Sequence, residues 1–424
     1  MSDIKKQVVS GVKWTTIGTI AIAVAALLKI AILARFLDKA DFGLMALVAF
    51  FMGFMNLFND MGLTSAILHK QKISKKEYAS LYWLNVMFSV LLYGILWSIS
   101  PLVAGFYEEP ELTLLIRLLG LNVIISALGR IFKTIEAKHL LFKHITIFEI
   151  IAAVISLSSA VYLAIKGFGV LSLVYSALLQ YIVQNVLYFF HGIQKYGLGL
   201  RFAFKETKPF LAIGMYQVGG QIINYFNRDM DILIIGKFFS QDILGGYSLA
   251  KQLVFRPTQI LNPIIMKVAS PTLARFQSDI GLLKNSYLKL VGIVAKANVL
   301  VYLGTLCFAP FIVSIFYGSG FDEIVILVRI LSIYMIFRSI GNPIGSLVIA
   351  TGRTDLEFYW NLTTLFILPI FIYVGSRTGI EAVAWSMCIA MAILFYPSWK
   401  LLVHKMTGAN FKEYIWAIIK PSFN

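Results

Sequence analysis

Long apolar runs separated by short polar loops occupy the chain from residue 12 to residue 402. The runs are continuous rather than alternating, which fits bilayer-crossing helices and excludes a transmembrane β-barrel. Twelve spans are expected, at 12–36, 42–67, 80–106, 113–134, 145–166, 169–191, 210–236, 243–268, 288–316, 324–350, 356–375 and 380–402. The loops between them alternate in charge. HKQKISKKE (69–77) holds Lys70, Lys72, Lys75 and Lys76; the loop after span four adds Lys133, Lys138 and Lys143; the loop after span six carries Lys195, Arg201, Lys205 and Lys208. FYEEPEL (106–112) and YGSGFDE (317–323), on the other side, have no lysine or arginine. The positive-inside rule then puts both termini in the cytoplasm. The start, MSDIKKQVVSGVKW, lacks a cleavage site and runs into a full-length span, so it reads as a first helix rather than a signal peptide.

Composition agrees with this pattern. The chain is 59% hydrophobic and 14% charged over 424 residues, against about a quarter charged in a soluble domain. The net charge of +16 does not point to nucleic acid, because most of the basic residues flank spans. Cys307 and Cys388 lie in separate apolar segments and are expected as buried small hydrophobes rather than a disulfide. The five histidines, at 69, 139, 144, 191 and 404, fall near cytoplasmic span ends and read as interfacial residues. No external loop is long enough for a catalytic domain. The sequence therefore indicates no enzyme, no catalytic residues, no cofactor and no resident metal.

An internal repeat organises the spans. ARFLDKADFG (34–43) matches GKFFSQDILG (236–245), pairing Arg35 with Lys237 and Gly43 with Gly245. LIRLLGLNVIISALG (115–129) matches LVRILSIYMIFRSIG (327–341), and SPLVAGFY (100–107) matches APFIVSIFY (309–317) with one insertion. Three matches in one order indicate a duplication of six spans. An even number keeps both halves in the same orientation, so the fold class is all-α integral membrane, two six-helix lobes related by a parallel repeat with a cavity between them. The expected boundaries are 1–194 for the first lobe, 195–208 for a cytoplasmic linker, 209–404 for the second lobe, and 405–424 for a terminal segment that is interfacial or the start of a further span.

Span seven interrupts the apolar pattern with NYFNRDMDILIIGK (224–237). Gln217, Gln221, Asn224, Arg228 and Asp231 recur every three or four residues and form one narrow helical stripe. A charge at mid-bilayer costs about 2.5–3.5 kcal/mol on insertion scales, so the stripe must face protein or water. It is either a transport surface or a buried ion pair joining two helices. Asp229 points off the stripe and reads as structural. The repeat places Lys29 of span one opposite Asp231, which suggests that the two approach each other in one transport state. Further inward candidates are Lys251, Arg256 and Asn262 in span eight, with Pro257 and Pro263 as expected kinks, Asp60 in span two, Glu149 in span five, Lys296 in span nine and Arg338 in span ten.

Cations outnumber acids among these residues, which selects an anionic ligand. Arginine suits phosphate through its bidentate fork. Gln221, Asn224, Asn262, Tyr216 and Tyr225 suit sugar hydroxyls and faces. The residues read as substrate-binding are thus Lys29, Arg228, Lys251, Arg256, Asn224, Gln221, Asn262 and Arg338. Asp60, Asp231 and Glu149 are the ion-coupling candidates, since a carboxylate beside a cation can change protonation when substrate arrives.

Five stretches carry a family resemblance: VVSGVKWTTIG (8–18), LARFLDKADFGLMAL (33–47), FNDMGLTSAILHKQKIS (58–74), YSLAKQLVFRPTQILNPIIMKVASPTLARFQ (247–277) and RSIGNPIGSLVIATGRTD (338–355). Together they resemble the polysaccharide transporter family of the multidrug/oligosaccharidyl-lipid/polysaccharide (MOP) superfamily, and within it the Wzx-type flippases of colanic acid and teichuronic acid. The resemblance implies translocation of undecaprenyl-pyrophosphate-linked oligosaccharide from the cytoplasmic to the periplasmic leaflet of a bacterial inner membrane. It also implies ion-gradient coupling, a polysaccharide polymerase as a partner and no nucleic acid. The rival readings are a drug or cation antiporter, which predicts an acidic or apolar cavity, a lipid II flippase, and a membrane enzyme acting on the same lipid.

Overall fold

The computed structural model describes residues 2–70, 72–318 and 320–419, with the side chains of 2–8, 212–217, 263–265, 267–268 and 271 outside the description. The described residues contain helices and no strand. They form two compact units, 1–225 and 226–424. The first contains α1 (Ser2–Leu33), α2 (Lys39–Asp60), α3 (Leu63–His69), α4 (Lys75–Tyr107), α5 (Glu111–Lys138), α6 (Phe142–Ile165), α7 (Val170–Tyr196) and the start of α8 (Phe204–Phe238). The second holds the rest of α8, then α9 (Gln241–Arg275), α10 (Ile280–Cys307), α11 (Ala309–Tyr317), α12 (Ile324–Ile340), α13 (Ile344–Thr351), α14 (Thr354–Ser376) and α15 (Ile380–Ser398). A π-helical turn (Trp399–His404), α16 (Lys405–Thr407) and α17 (Phe411–Ile419) complete it.

Among the described residues, ten helical stretches are long and apolar enough to cross a membrane. The 35-residue helices α8 and α9 are long enough but too polar to meet that standard. The outward surface is what a bilayer requires: Leu102, Leu300, Phe311 and Phe366 are each exposed over more than 60% of their area. Such a density of large apolar side chains on a water-facing surface would drive association. The buried face of α6 is built of small residues, with Ala152, Ser156 and Ala160 fully buried. Small residues let helices approach in lipid, where no hydrophobic force drives them together. The chain is a multi-pass membrane protein.

The duplicated pattern is visible in the elements. Helices beginning at 39, 142 and 170 have counterparts beginning at 241, 354 and 380. Neighbour pairs recur too: α4 with α5, α5 with α7 and α6 with α7 in the first unit; α10 with α12, α12 with α15 and α14 with α15 in the second.

Three expected spans are not continuous. Span two breaks at Met61 and Gly62, both left-handed (φ 48° and 65°). Span nine breaks at Phe308, and span ten breaks between Ile340 and Ile344, where Gly341 and Pro343 end one helix and start the next. Span eight is a single helix, α9 running without a break through Pro257 and Pro263. Cys388 is buried as expected, whereas Cys307 at the end of α10 is exposed.

Helix starts follow local chemistry. Ser74 caps α4, its Oγ accepting from the Glu77 amide at 3.2 Å while Glu77 Oε2 accepts from the Ser74 amide at 2.7 Å. Close approaches depend on glycine. A Cβ at Gly192 on α7 would enter the ring of Phe132 on α5, in the apolar cluster of Leu63, Leu81, Ile131 and Ile135. Gly192→Ala is expected to cost about 1–3 kcal/mol or more by overpacking. Thermal unfolding of the detergent-solubilised protein checks this, and a melting curve identical to the parent would refute it.

The terminal segment is docked by its aromatic side chain. Tyr414 of α17 is 1% exposed and packs with Tyr287, Trp399 and Phe395, and a Cβ at Gly292 on α10 would lie 2.6 Å from the Ala417 carbonyl. Residues 420–424 lie outside the description. Glu413 and Asn410 exchange capping bonds of 2.8 Å, and Lys284 Nζ reaches Glu413 Oε1 at 3.0 Å. The Asn410 amide first, then Lys284, holds the Glu413 carboxyl below the usual carboxylate range. Because the pKa is lowered on docking, the contribution is complete above the ordinary glutamate value of about 4.3 and fades as pH falls through the lowered value. Amide protection factors in α17 are expected to hold from neutral pH to about 5 and to drop below about 4; protection that is flat through that range would contradict the assignment.

Candidate functional site

The polar stripe of α8 divides into two environments. Gln221, Asn224 and Arg228 are exposed, whereas Asp231, one turn further on, is 2% exposed. The side chains of Tyr216 and Gln217 lie outside the description. Tyr225, read from the sequence as a sugar-facing aromatic, is instead buried on α2. Its hydroxyl donates to the Phe50 carbonyl at 2.6 Å, and its ring lies 5.2 Å from that of Phe50.

What covers Asp231 is Lys251 of α9. The ammonium donates to Asp231 Oδ1 at 2.7 Å, to Asp229 Oδ1 at 3.1 Å and to the Arg228 carbonyl at 2.9 Å. An ammonium has three protons, and all three are used. Tyr247 donates to the other Asp231 oxygen at 2.5 Å, and Arg228 holds Asp229 Oδ2 at 2.7 Å. Two carboxylates, one lysine and one arginine thus balance in charge. Asp229 belongs to this network although it lies off the stripe. The excess of positive charge read from these residues does not reside here, because Lys251 and Arg228 are matched by Asp229 and Asp231. Arg228 is the most open of the four, with half of its side chain exposed, and Asp229 keeps about a fifth of its own.

The remaining cations of the second unit extend from this network. Phe255 lies 5.5 Å from Lys251 Nζ and 5.5 Å from the Arg338 guanidinium, so one ring meets two cations. Arg338 also donates to the Tyr334 hydroxyl at 2.6 Å. Arg256, half-buried on α9, donates to Gln259 one turn away at 3.4 Å, and Asn262 is half-buried on the same helix.

The other candidates engage partners within the first unit. Lys29 donates to Ser156 of α6 at 3.0 Å and makes no ion pair among the described residues. Asp60 sits at the α2 break, where it accepts from Thr64 at 2.5 Å and from Arg130 at 3.4 Å. An acid at a helix C-terminus opposes the helix dipole, and Arg130 offsets that. Glu149 accepts from Lys133 at 2.7 Å and from Tyr188 at 3.3 Å.

Two clusters had no linear signature. Asn59, fully buried, donates to the Val123 carbonyl and Ser126 and accepts from Ser89 through its side chain and from Asn85 through its carbonyl, tying α2 to α4 and α5. Glu136, 1% exposed, gathers Lys195 at 2.8 Å, Tyr196 at 2.5 Å and His144 at 3.1 Å, with His191 at 3.5 Å. Two histidines read from the sequence as interfacial therefore surround a buried acid. Their ligating atoms lie within 4.8 Å of one another, but the carboxylate is already satisfied by the lysine, the tyrosine and His144.

Comparison with known proteins adds the family. Residues 32–326 match the family described as "Polysaccharide biosynthesis protein". The teichuronic acid biosynthesis protein TuaB of Bacillus subtilis (strain 168) is 29% identical over 99% of this chain and 87% of its own length. The lipopolysaccharide biosynthesis protein WzxC of Escherichia coli (strain K12) is 27% identical over 99% of this chain and 86% of its own. The inward closed structure of the lipid II flippase MurJ superposes with a TM-score of 0.76 at 14% identity, over 96% of this chain and 90% of that one. An inward-facing multidrug resistance MATE family transporter gives 0.71 at 16% identity, over 93% of this chain and all of that one. These two likenesses show the fold, which this chain shares with MurJ and with that MATE transporter. The family match spans well over half of the chain, and the protein belongs to the polysaccharide biosynthesis protein family.

Proposed function

We propose that this protein is a flippase for lipid-linked polysaccharide repeat units, not an enzyme. Its substrate class is undecaprenyl-pyrophosphate-linked oligosaccharide, moved from the cytoplasmic to the periplasmic leaflet of a bacterial inner membrane by alternating access, with both termini cytoplasmic. The family membership and the near full-length similarity to TuaB and WzxC support the cargo class. A polysaccharide polymerase would receive the cargo on the far side.

The observation that carries the chemical side of the reading is the distribution of paired charge on α8 and α9. Asp229 and Asp231 are neutralised internally, so the accessible cations of the second unit here are Arg228 and Arg256, while Gln221 and Asn224 are exposed amides on the part of α8 that belongs to the first unit. Arginines suit the pyrophosphate and amides suit the sugars. Beside this surface Lys251 holds the Arg228 carbonyl and Arg338 lies against Phe255, Asn262 follows along α9, and Lys29 of the first unit has no carboxylate partner among the described residues. The same observation weighs against a cation antiporter, whose carboxylates would have to face the cargo. Among the coupling candidates Asp231 is sealed, while Asp60 and Glu149 keep about a quarter of their side chains exposed. Asp60 and Glu149 are therefore the better proton or sodium carriers. Asp60→Asn is expected to flatten the pH dependence of transport, and an unchanged profile would remove Asp60 from that role.

The test is the sidedness of the cargo. Deleting the gene from its native host should accumulate lipid-linked oligosaccharide that is reached by a glycosidase in inverted vesicles but not in intact spheroplasts. Equal accessibility from both sides would contradict the reading.

A further inference from the structure

The first unit contains a cavity of about 410 Å³ whose chemistry the transport reading leaves unused. It lies between the start of α4, the ends of α5 and α7, and the segment 197–201. That segment is strapped onto α4: Trp83 Nε1 donates to the Gly199 carbonyl at 3.0 Å, and the Ala203 amide donates to Ser80 Oγ at 3.1 Å. The volume falls in the range of ordinary small-molecule sites.

The wall is amphiphilic. Ile131, Phe132, Ile135 and Tyr82 supply an apolar floor that belongs to the core of the unit. Lys75, Lys76, Lys195 and Arg201 supply the cations. Lys195 is held by Glu136, and Arg201 lies 3.5 Å from Glu206. Lys75 and Lys76 are exposed and make no ion pair among the described residues. They occupy the first turn of α4, where a cation adds to the positive end of the helix dipole and is locally unfavourable. The positive-inside rule accounts for basic residues near this end of the spans but not for a preformed apolar cavity beneath them.

We propose that this cavity is a binding site for a phosphate-headed membrane lipid, separate from the α8–α9 surface. The phosphate sits at Lys75 and Lys76 with Lys195 and Arg201 behind it, and the proximal part of the tail lies on the Phe132 floor. Basic pockets at the ends of membrane helices take anionic headgroups in this way. The aromatic wall is held in place, since Tyr196 donates to Glu136 and stacks on His139 with ring centroids 6.3 Å apart. Two sources share this chemistry, a bulk anionic phospholipid and an isoprenyl diphosphate such as the cargo carrier. The site itself requires only a membrane, so it stands or falls independently of the transport reading.

The experiment is native mass spectrometry of the purified full chain, titrated with short-chain phosphatidylglycerol, phosphatidylcholine of the same chain length, and farnesyl diphosphate. Phosphatidylglycerol or farnesyl diphosphate should be retained in preference to phosphatidylcholine. The Lys75→Ala/Lys76→Ala variant should weaken that retention by roughly tenfold or more. Both positions are exposed, so the variant should fold. Lys143→Ala/Lys166→Ala, which removes two exposed lysines of the same unit that do not line the cavity, should leave retention unchanged. Whichever anionic lipid displaces the other identifies the source. Equal retention of phosphatidylcholine, undiminished retention in Lys75→Ala/Lys76→Ala, or equal loss in the control variant would overturn the proposal.

Discussion

Replacing Lys251 with alanine should destabilise the second unit by about 3–5 kcal/mol, the range found when one partner of a buried ion pair is removed. The side chain is 9% exposed, and Asp231 beneath it is 1% exposed. Without the ammonium, Asp231 keeps the Tyr247 hydroxyl, and the Arg228 carbonyl loses the lysine as a donor. The cost arises from the uncompensated carboxylate rather than from any large net gain of the pair. A neutral replacement of the whole network, Lys251→Met with Asp229→Asn and Asp231→Asn, should therefore recover much of the loss. Thermal unfolding in detergent distinguishes these outcomes. If Lys251→Ala melts with the parent, the network does not hold α8 to α9.

Arg228→Ala and Arg256→Ala should each lower transport by roughly thirtyfold or more while membrane levels stay near those of the parent, since removing an arginine from a phosphate costs about 2–5 kcal/mol in comparable charge-assisted pairs. Arg228→Ala leaves Asp229 with Lys251, so its effect on folding should be small beside that of Lys251→Ala. Arg228→Lys should recover only part of the activity, because an ammonium cannot reproduce the bidentate fork. Arg353→Ala is the matched control. Arg353 pairs with Asp355 at 2.9 Å on an exposed surface, and such pairs contribute little. Transport is the readout, scored as polymer exported per unit of membrane protein. Full activity in both alanine variants would reduce the stripe to packing.

These expectations show where linear pattern is informative. Helix periodicity placed Gln221, Asn224, Arg228 and Asp231 on one face of one helix, and α8 has that form. Periodicity does not say which neighbour covers each turn, so it could not separate the exposed arginine from the sealed aspartate three residues later. Its place off the stripe makes Asp229 read as structural, and a cation within a span makes Lys251 read as a ligand for substrate. The two meet because α9 packs so that one ammonium reaches both carboxylates. The same limit hid Arg130 from Asp60, 70 positions away, and Lys133 from Glu149. Glu136 and its two histidines come from three helices with no shared spacing, so no motif announces them. Helix breaks were half legible. Gly341 and Pro343 are ordinary terminators, but Met61 in a left-handed conformation is not a residue from which a break is read.

The most direct test of the account is complementation. The chain, or its Arg228→Ala variant at equal membrane level, is expressed in a strain lacking its own polysaccharide flippase and supplied with the native host's repeat-unit synthesis genes. Surface polymer and lipid-linked precursor are then quantified together. The account predicts that the parent restores surface polymer and clears the precursor, and that the variant leaves precursor accumulated. Precursor that remains on the cytoplasmic side with the parent present would contradict it.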